Sequence, residues 1–317
     1  MTNLMLTNYC NYKCPYCFGV DFMFPKVSRK EMSLETLEGL LDWMDKTPKN
    51  KSAVHLMGGE PTLHSQFEEV VFKILERGRQ IVIFSNLASP KAPEYAEKLA
   101  NFNISWVVNV NSPKLWNDVQ NDRIRRALKT LGQKASITFN INPDGDDDMW
   151  AVDLIREYDL SRWIKVGFVL PTMTGSNYAL EDEQYPVVAK KLINLLKNTQ
   201  QYGIKAAFEC GVPTCAFTDE QLGYLWSIGC TFDSNCDSRL DVSPEGLVIY
   251  CLPMSEIAKV HYTEFDNYFA AKKFFDDKLL PYRRLGRNEN CFNCVLADSI
   301  CRSGCVAKIL LGAKNVK

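Results

Sequence analysis

The chain has 317 residues, of which 46% are hydrophobic and 24% are charged, and its formal net charge at pH 7 is -1. This is the composition of a globular protein, and it excludes a disordered, collagen-like or low-complexity chain. A net charge near zero gives no reason to expect nucleic acid or an acidic membrane surface as a partner. The unusual feature is a content of 12 cysteines.

The cysteines are clustered, and none lies between Cys17 and Cys210. A secreted disulfide scaffold would be short and would open with a signal peptide, whereas the N-terminus here lacks a basic segment followed by an apolar one. No apolar run approaches the length of a membrane span. We therefore expect a cytoplasmic protein, without membrane partners, whose cysteines bind metal or carry redox chemistry.

The cysteine-free part of the chain alternates short β-like runs with amphipathic helical patterns. The predicted strands run over 3–8, 53–57, 80–85, 104–110, 136–142 and 163–170. The first predicted helix has Ser33 as its N-cap, the second runs from Phe67 to Gly78, and the others cover 92–102, 116–131, 148–158 and 181–201. An acidic run of Asp144, Asp146, Asp147 and Asp148 is expected to cap the following helix and to be solvated.

Six strands that alternate with helices predict an α/β fold with a parallel sheet. Six units in about 200 residues suit a partial (β/α)6 TIM-like barrel, because the full eight-unit barrel takes about 250 residues. A doubly wound open sheet fits the same alternation. After Gly203 the pattern changes to short segments punctuated by cysteine, glycine and proline, without long helices. We therefore predict a core at 1–205 and a small cysteine-rich domain at 206–317.

Cys10, Cys14 and Cys17 form a C-x3-C-x2-C pattern directly after the first predicted strand. Three thiolates on one loop can hold three corners of a [4Fe–4S] cluster, and full ligation by the protein would need a fourth cysteine, which is not nearby. The alternative is a zinc site completed by a histidine. The chain's three histidines lie away from this loop, which favours a cluster with one iron open to an outside ligand.

The triad, read as CNYKCPYC with Tyr16 before the last cysteine, resembles the signature of the radical S-adenosylmethionine (SAM) superfamily. The sequence MGGEPT, with Gly58, Gly59, Glu60 and Pro61, closes the second predicted strand and resembles the family's Gly-Gly-Glu-Pro motif. Glycines permit the close approach of a ligand to the backbone, and a proline cannot extend a strand ladder. On both motifs the chain is identified as a member of this superfamily.

The resemblance implies the partial barrel and a chemistry. SAM would chelate the open iron and, after one-electron reduction, would give methionine and a 5′-deoxyadenosyl radical; the electron donor would be a flavodoxin or ferredoxin. The implied SAM contacts are Tyr16, Gly58, Gly59, Glu60, Pro61, Ser85, Asn86, Asn109, Asn111 and Asn140. For each asparagine the alternative is a turn or strand-end residue that bonds its own backbone. Residues 166–171 pack either on the adenine or in the core.

The remaining clustered cysteines resemble the SPASM extension of radical SAM proteins. The spacing from Cys236 to Cys251 fits that pattern, whereas the second block has one extra residue between Cys294 and Cys301, and the last cysteine of the pattern is missing. The resemblance implies a first auxiliary [4Fe–4S] cluster on Cys230, Cys236, Cys251 and Cys305, and a second on Cys291, Cys294 and Cys301. A single auxiliary cluster, as in the shorter twitch version, and a zinc ribbon are the alternatives.

The assignment of the other cysteines to clusters leaves Cys210 and Cys215 without a role. Either thiol packs in the core as a small apolar group, or one of them donates a hydrogen atom in catalysis or ligates the second auxiliary cluster. A general base is not evident; Asp237 and Asp241 are candidates because they flank Cys236 in sequence, and turn-forming or solvated residues are the alternative.

The substrate class follows only from the resemblance. Relatives with a SPASM region mostly modify peptides or proteins, and others act on sugars or aminocyclitols. The first predicted strand begins close to Met1, so no leader-binding domain is expected within the chain. This lowers the weight of a peptide substrate without excluding it, because a leader-peptide-binding protein would then be a separate chain. A peptide substrate is favoured over a small molecule. The alternative from a different class of function is a noncatalytic iron–sulfur electron carrier. Such a carrier would gain nothing from an iron that lacks a protein ligand.

Overall fold

The structure is a computed structural model that describes residues 2–47, 53–144, 147–208, 212–230, 236–237, 239–283, 289–297, 301 and 304–314. Its strands are β1 (Thr2–Thr7), β2 (Val54–Gly58), β3 (Ile81–Ser85), β4 (Ile104–Asn109), β5 (Ala135–Ile141), β6 (Trp163–Phe168), β7 (Lys205–Phe208), β8 (Asp241–Val242), β9 (Leu247–Ile249) and β10 (Val260–His261). Its α-helices are α1 (Leu34–Asp45), α2 (Phe67–Glu76), α3 (Ala92–Lys98), α4 (Asp118–Leu131), α5 (Met149–Glu157), α6 (Tyr185–Gln200), α7 (Asp219–Ser227), α8 (Tyr268–Arg283) and α9 (Val306–Lys314).

Within the described residues all ten strands belong to one sheet, in the order β10-β9-β8-β1-β2-β3-β4-β5-β6-β7. Strands β1 to β7 are parallel and follow one another in chain order. A doubly wound sheet reverses its order at a switch point. The sequential order therefore excludes that alternative and confirms the α/β partial-barrel prediction.

Local signals in the sequence account for the starts of α1 and α4. Ser33 caps α1 as predicted, with its hydroxyl accepting a hydrogen bond from the Thr36 amide at 3.0 Å. Helix α4 begins later than predicted, because Pro113 starts a separate 3-10 turn and Asn117 then forms a capping box with Gln120.

The chain after residue 205 joins the sheet at both edges. Strand β7 pairs with β6, and β8 pairs in parallel with β1 through Asn3↔Asp241. The expectation that this part lacks long helices is wrong, because α8 has 16 residues. Its Ala271, Phe275 and Leu279 are fully buried at a spacing of four residues, which is a helical pattern that the sequence already contained.

The prediction that the acidic run before α5 caps the helix and is solvated is only partly correct. The Asp147 carboxylate accepts a hydrogen bond from the Met149 amide at 3.1 Å, as a cap does. Asp148 is buried instead of solvated, and it pairs with Lys191 at 3.1 Å. Asp146 lies outside the described residues.

Candidate functional site

The three-cysteine loop leaves the carboxyl end of β1, the edge at which barrels of this kind place their active sites. The amide of Cys17 donates to the carbonyl of Cys14 at 3.1 Å, which folds the loop into a turn, and all three thiols are partly buried and free. Burial raises the pKa of the Cys10 thiol to about 12, and it also raises the pKa of Cys14 and Cys17. Charge repulsion from Glu60, Cys14 and Cys17 adds to the rise at Cys10.

The glycine turn at the end of β2 lies directly against this loop. The Gly59 amide donates to the Thr7 carbonyl at 2.8 Å, and the Glu60 amide donates to the Tyr9 carbonyl at 2.9 Å. Gly58 has a φ of +142°, which L side chains rarely adopt, and a Cβ on Gly59 would overlap the carbonyl group of Tyr9. Both glycines are therefore needed for the two motifs to touch.

Glu60 is almost fully buried behind this turn, and four donors surround its carboxylate. One oxygen accepts hydrogen bonds from the Thr62 amide (3.2 Å), the Thr62 hydroxyl (2.5 Å) and the Ser85 hydroxyl (2.8 Å), and the other accepts from the Asn86 amide (2.8 Å). Burial raises the pKa of the Glu60 carboxyl, and these hydrogen bonds oppose the rise. Glu60 thus joins the ends of β2 and β3.

Two asparagines connect further strand ends to the cysteine loop. The side-chain amide of Asn86, just after β3, donates to the Cys10 sulfur at 3.8 Å and to Asn11 at 2.9 Å. The hydroxyl of Tyr16 donates to the side-chain oxygen of Asn111, which follows β4. The predicted residues Tyr16, Glu60, Ser85, Asn86 and Asn111 therefore gather around the triad.

Asn109 and Asn140 have no recorded contact with the triad. Asn109 ends β4 and is exposed, and Asn140 on β5 pairs with Gly167 on β6, where a Cβ would collide with the Asn140 side chain. Phe168 stacks on Tyr185 of α6 at 6.1 Å, and Val166 is fully buried. Val166 and Phe168 therefore follow the second of the two alternatives for residues 166–171, which is packing in the core.

Sequence inspection missed one anchor of the loop. Asn177 lies after β6, and its side-chain amide donates to the carbonyls of Leu170 (2.8 Å) and Tyr16 (3.2 Å). The amide of Tyr178 donates to the Pro15 carbonyl at 2.9 Å. These bonds fix the cysteine loop from the side opposite to the glycine turn, and no residue spacing in the sequence would have indicated them.

The donor set fits a [4Fe–4S] cluster better than a single ion. Among the described residues, no group of three His, Cys, Asp or Glu side chains is close enough to hold one metal ion. Each thiolate of a cubane cluster binds a different iron, so its ligands stand farther apart than those of one ion. Three neighbouring thiols on one loop, with the glycine turn beside them, match that requirement.

The cysteines of the C-terminal part differ in their surroundings. Cys230, Cys236 and Cys305 are buried and Cys251 is half-buried. Burial, with repulsion from Cys236, raises the pKa of Cys305 to about 12. Cys215, Cys291, Cys294 and Cys301 line a pocket of their own. Cys210 lies outside the described residues.

The two aspartate candidates for a general base have different surroundings. Asp237 is exposed and pairs with Lys272 at 2.7 Å. Asp241 is buried, contrary to a solvated role, and accepts hydrogen bonds from the Asn3 side chain (2.6 Å) and the Leu252 amide (3.0 Å). Because Asn3 lies at the amino end of β1, Asp241 is at the opposite end of that strand from the triad.

A polar layer that the sequence did not reveal surrounds Asn3. The Asn3 side-chain oxygen bonds the Nδ1 atom of His55 at 3.0 Å, and the Arg239 guanidinium lies 3.3 Å from both ring nitrogens. Burial, and next the charge of Arg239, lowers the pKa of His55 to about 3. His55 is therefore neutral in the folded protein over the whole physiological range.

Asp241 should make stability depend on pH. Burial raises its pKa from 3.8 to about 7. Between these values the folded chain keeps a proton that the unfolded chain releases, so this group lowers the free energy of unfolding as the pH rises from about 4 to 7. Asp241→Asn cannot ionise, so its free energy of unfolding relative to wild type should increase by about 2 kcal/mol between pH 5 and pH 8.

Denaturant unfolding of both proteins at the two pH values measures this difference. A hydrogen bond that the asparagine side chain cannot make is lost at both pH values. The test is therefore the change, between pH 5 and pH 8, in the stability difference between the variant and wild type. Asp277→Asn, at an exposed residue paired with Lys273 on α8, is the control and should show no such trend. The same pH profile for Asp241→Asn and wild type would contradict the assignment.

The family model described as "Radical SAM superfamily" matches residues 4–179. The S-adenosylmethionine-dependent nucleotide dehydratase of Selenomonas ruminantium is 28% identical over an alignment of 199 positions that covers 56% of this chain and 69% of that protein. The radical SAM cyclopropyl synthase TigE of Paramaledivibacter caminithermalis is 25% identical over an alignment of 335 positions that covers 96% of this chain and 67% of that protein.

Solved structures share the fold at low sequence identity. SuiB of Streptococcus suis bound to the precursor peptide SuiA has a TM-score of 0.71 and 17% identity, covering 96% of this chain and 71% of that chain. The enzyme anSMEcpe with bound AdoMet and the Cp18Cys peptide has a TM-score of 0.68 and 17% identity, covering 96% of this chain and 88% of that chain. None of the described helices is long and apolar enough to cross a membrane.

Proposed function

Because the chain belongs to the radical SAM superfamily, we propose that it cleaves SAM reductively and uses the resulting radical to abstract a hydrogen atom from a peptide or protein. The observation that carries this proposal is the contact between the three-thiol loop and the glycine turn at one edge of the sheet. A noncatalytic electron carrier would need neither an iron left open by a missing thiolate nor a backbone edge beside it.

Each residue of the site has a distinct task in this proposal. Cys10, Cys14 and Cys17 would hold three irons of a [4Fe–4S] cluster, whose electron, when the cluster is bound and reduced, splits SAM into methionine and the 5′-deoxyadenosyl radical. The turn from Gly58 to Glu60 would offer its backbone to the methionyl group, and Glu60 keeps that turn in place.

The fold match supports a peptide substrate over a small molecule. SuiB and anSMEcpe were solved with peptides bound, and each match covers 96% of this chain. Both matches therefore include the C-terminal part of this chain as well as its barrel. We propose that 206–317 is an auxiliary iron–sulfur domain of the SPASM or twitch type.

A small-molecule substrate is the second candidate, and the curated relatives favour it. The nucleotide dehydratase and the GTP 3′,8-cyclase of Ectopseudomonas mendocina are named for nucleotides. The cyclase is 21% identical over an alignment of 264 positions that covers 78% of each protein. Incubation with deuterated peptides and deuterated nucleotides or sugars separates the two candidates. Deuterium in 5′-deoxyadenosine identifies the class from which hydrogen is abstracted.

Cleavage of SAM is the first test. The chain, reconstituted anaerobically with iron and sulfide and reduced with dithionite or flavodoxin, should convert SAM to methionine and 5′-deoxyadenosine in equal amounts. The background is set by a variant in which Cys10, Cys14 and Cys17 are all alanine. Formation of 5′-deoxyadenosine at the background rate would exclude the enzyme and favour the electron carrier.

A further inference from the structure

One pocket in the C-terminal part is lined by four cysteines from two distant segments. Cys215 comes from the 3-10 turn Thr214–Ala216 that follows β7, and Cys291, Cys294 and Cys301 come from the segment between α8 and α9. Leu296 and Ala297 complete an apolar wall. The lining contains no residue of the SAM-site loop, so the pocket is a separate site.

Hydrogen bonds of the backbone fold the second segment around the pocket. The Cys294 amide donates to the Cys291 carbonyl at 3.3 Å, and the Ala297 amide donates to the Cys294 carbonyl at 3.1 Å. The Cys301 amide then donates to the Leu296 carbonyl at 3.0 Å, and Cys301 also pairs with Ala297 in a β-bridge. The chain thus curls back so that all three thiols face one space, and Cys215 lies on the wall provided by the other segment.

A buried hydroxyl in the same wall points to a ligand. Thr214 is 2% exposed, and its hydroxyl finds no hydrogen-bond partner among the described residues. A buried hydroxyl without a partner is unfavourable, because it has lost its hydrogen bonds to water without replacing them. The bridging sulfides of an iron–sulfur cluster accept hydrogen bonds. A cluster in this pocket would satisfy the Thr214 hydroxyl, whereas a purely apolar occupant would not.

The composition of the site selects the kind of metal centre. Four thiolates suit zinc or an iron–sulfur cluster. A zinc ion would draw its ligands into one compact tetrahedron, yet the described cysteines do not form a group close enough for a single ion. Thiols that surround a pocket without converging on one point are the arrangement that a cubane cluster requires.

We propose that Cys215 is the fourth thiolate of an auxiliary [4Fe–4S] cluster whose other ligands are Cys291, Cys294 and Cys301. The proposal rests on the auxiliary domain that we proposed above, and it supplies the ligand that the missing last cysteine of the SPASM pattern leaves open. A cluster with four protein thiolates has no iron free to bind substrate. Its role is therefore electron transfer or the tethering of the β7 turn to the C-terminal segment.

Alkylation of individual cysteines tests the assignment without an activity assay. Cys215 is exposed, so iodoacetamide should label it readily in the iron-free chain. In the reconstituted chain, labelling of Cys215 should slow by at least about tenfold, in parallel with Cys294, because a thiolate bound to iron is not nucleophilic. Peptide mass spectrometry of a short labelling pulse, before and after iron chelation, gives both rates.

The outcomes separate this inference from the proposed function. Protection of Cys294 without protection of Cys215 overturns the assignment alone. Labelling of all four cysteines at the iron-free rate overturns the auxiliary cluster as well, while formation of 5′-deoxyadenosine still reports separately on the SAM site.

Iron content provides an independent check, in which Cys210→Ala is the matched control for Cys215→Ala. Three cubane clusters require about 12 irons per chain. Cys215→Ala should lose as much iron as Cys294→Ala, up to about four atoms, and Cys210→Ala should keep the wild-type content. Full iron content in Cys215→Ala, or loss of iron in Cys210→Ala instead, overturns the assignment.

Discussion

Gly59→Ala should reduce the formation of 5′-deoxyadenosine by about a hundredfold or more, because misplacing reacting groups by about 1 Å has an effect of that size. The new Cβ would overlap the Tyr9 carbonyl group and would lie 2.9 Å from the Cys10 amide nitrogen. Both are backbone atoms, so the clash can be relieved only by moving the cysteine loop away from the end of β2. The φ angle of Gly59 is not in the positive region, so the effect is purely steric.

Overpacking of this kind should also lower the free energy of unfolding by about 1–3 kcal/mol. Gly223→Ala is the matched control, because Gly223 lies within α7 and a Cβ there meets nothing within 4 Å. It should leave the product rate unchanged and should increase stability by about 0.5–1 kcal/mol. Thermal unfolding, iron content and product formation are measured for both variants. Equal product rates would show that the two motifs are not in contact.

Glu60→Ala should lower the free energy of unfolding by about 3 kcal/mol or more, because it leaves buried donors without an acceptor at about 1–3 kcal/mol each. The donors affected are those of Thr62, Ser85 and Asn86. Asn86 also contacts the Cys10 sulfur, so its displacement should weaken the SAM site. We therefore expect a weaker affinity for SAM in addition to the loss of stability.

Glu60→Gln keeps the side-chain length and one acceptor oxygen, so its loss of stability should be smaller than that of Glu60→Ala. The control is Glu94→Ala on the exposed face of α3, where the carboxylate pairs with Lys98 at 2.8 Å. That change should cost no more than about 0.5 kcal/mol. Denaturant unfolding and equilibrium binding of SAM are the measurements. If Glu60→Ala were as stable as Glu94→Ala, Glu60 would not be the link between β2 and β3.

The sequence predicted the parts of the site that depend on short stretches of chain. A short stretch of sequence is enough to recognise each of two motifs: the spacing of Cys10, Cys14 and Cys17, and the turn at Gly58 and Gly59. Ser85 and Asn86 were identified because they end a predicted strand. Their contacts could not be predicted, because Glu60 accepts hydrogen bonds from residues at and just after the end of β3, 25 positions or more away.

Contacts between distant segments account for what the sequence missed. Asn177 anchors the loop of Tyr16 from more than 150 positions downstream. Asp148 and Asp241 were expected to be solvated from their composition alone, whereas Lys191 and Asn3 accompany them in the interior. The partner of a polar side chain decides whether it can be buried, and composition does not identify that partner.

The sequence by itself determined the alternation of strands and helices, the cap at Ser33, and the spacing of two motifs whose chemistry is implied by their resemblance to the radical SAM superfamily. The alternation and the cap depend on hydrophobic periodicity and backbone geometry, which act over a few residues. Only the tertiary structure decided the strand order, and with it the choice of barrel over doubly wound sheet, because the same alternation fits both. It also brought Cys215 into a pocket with three cysteines more than 70 positions away. Which segments become neighbours is set by the packing of the whole chain, and no local pattern records it.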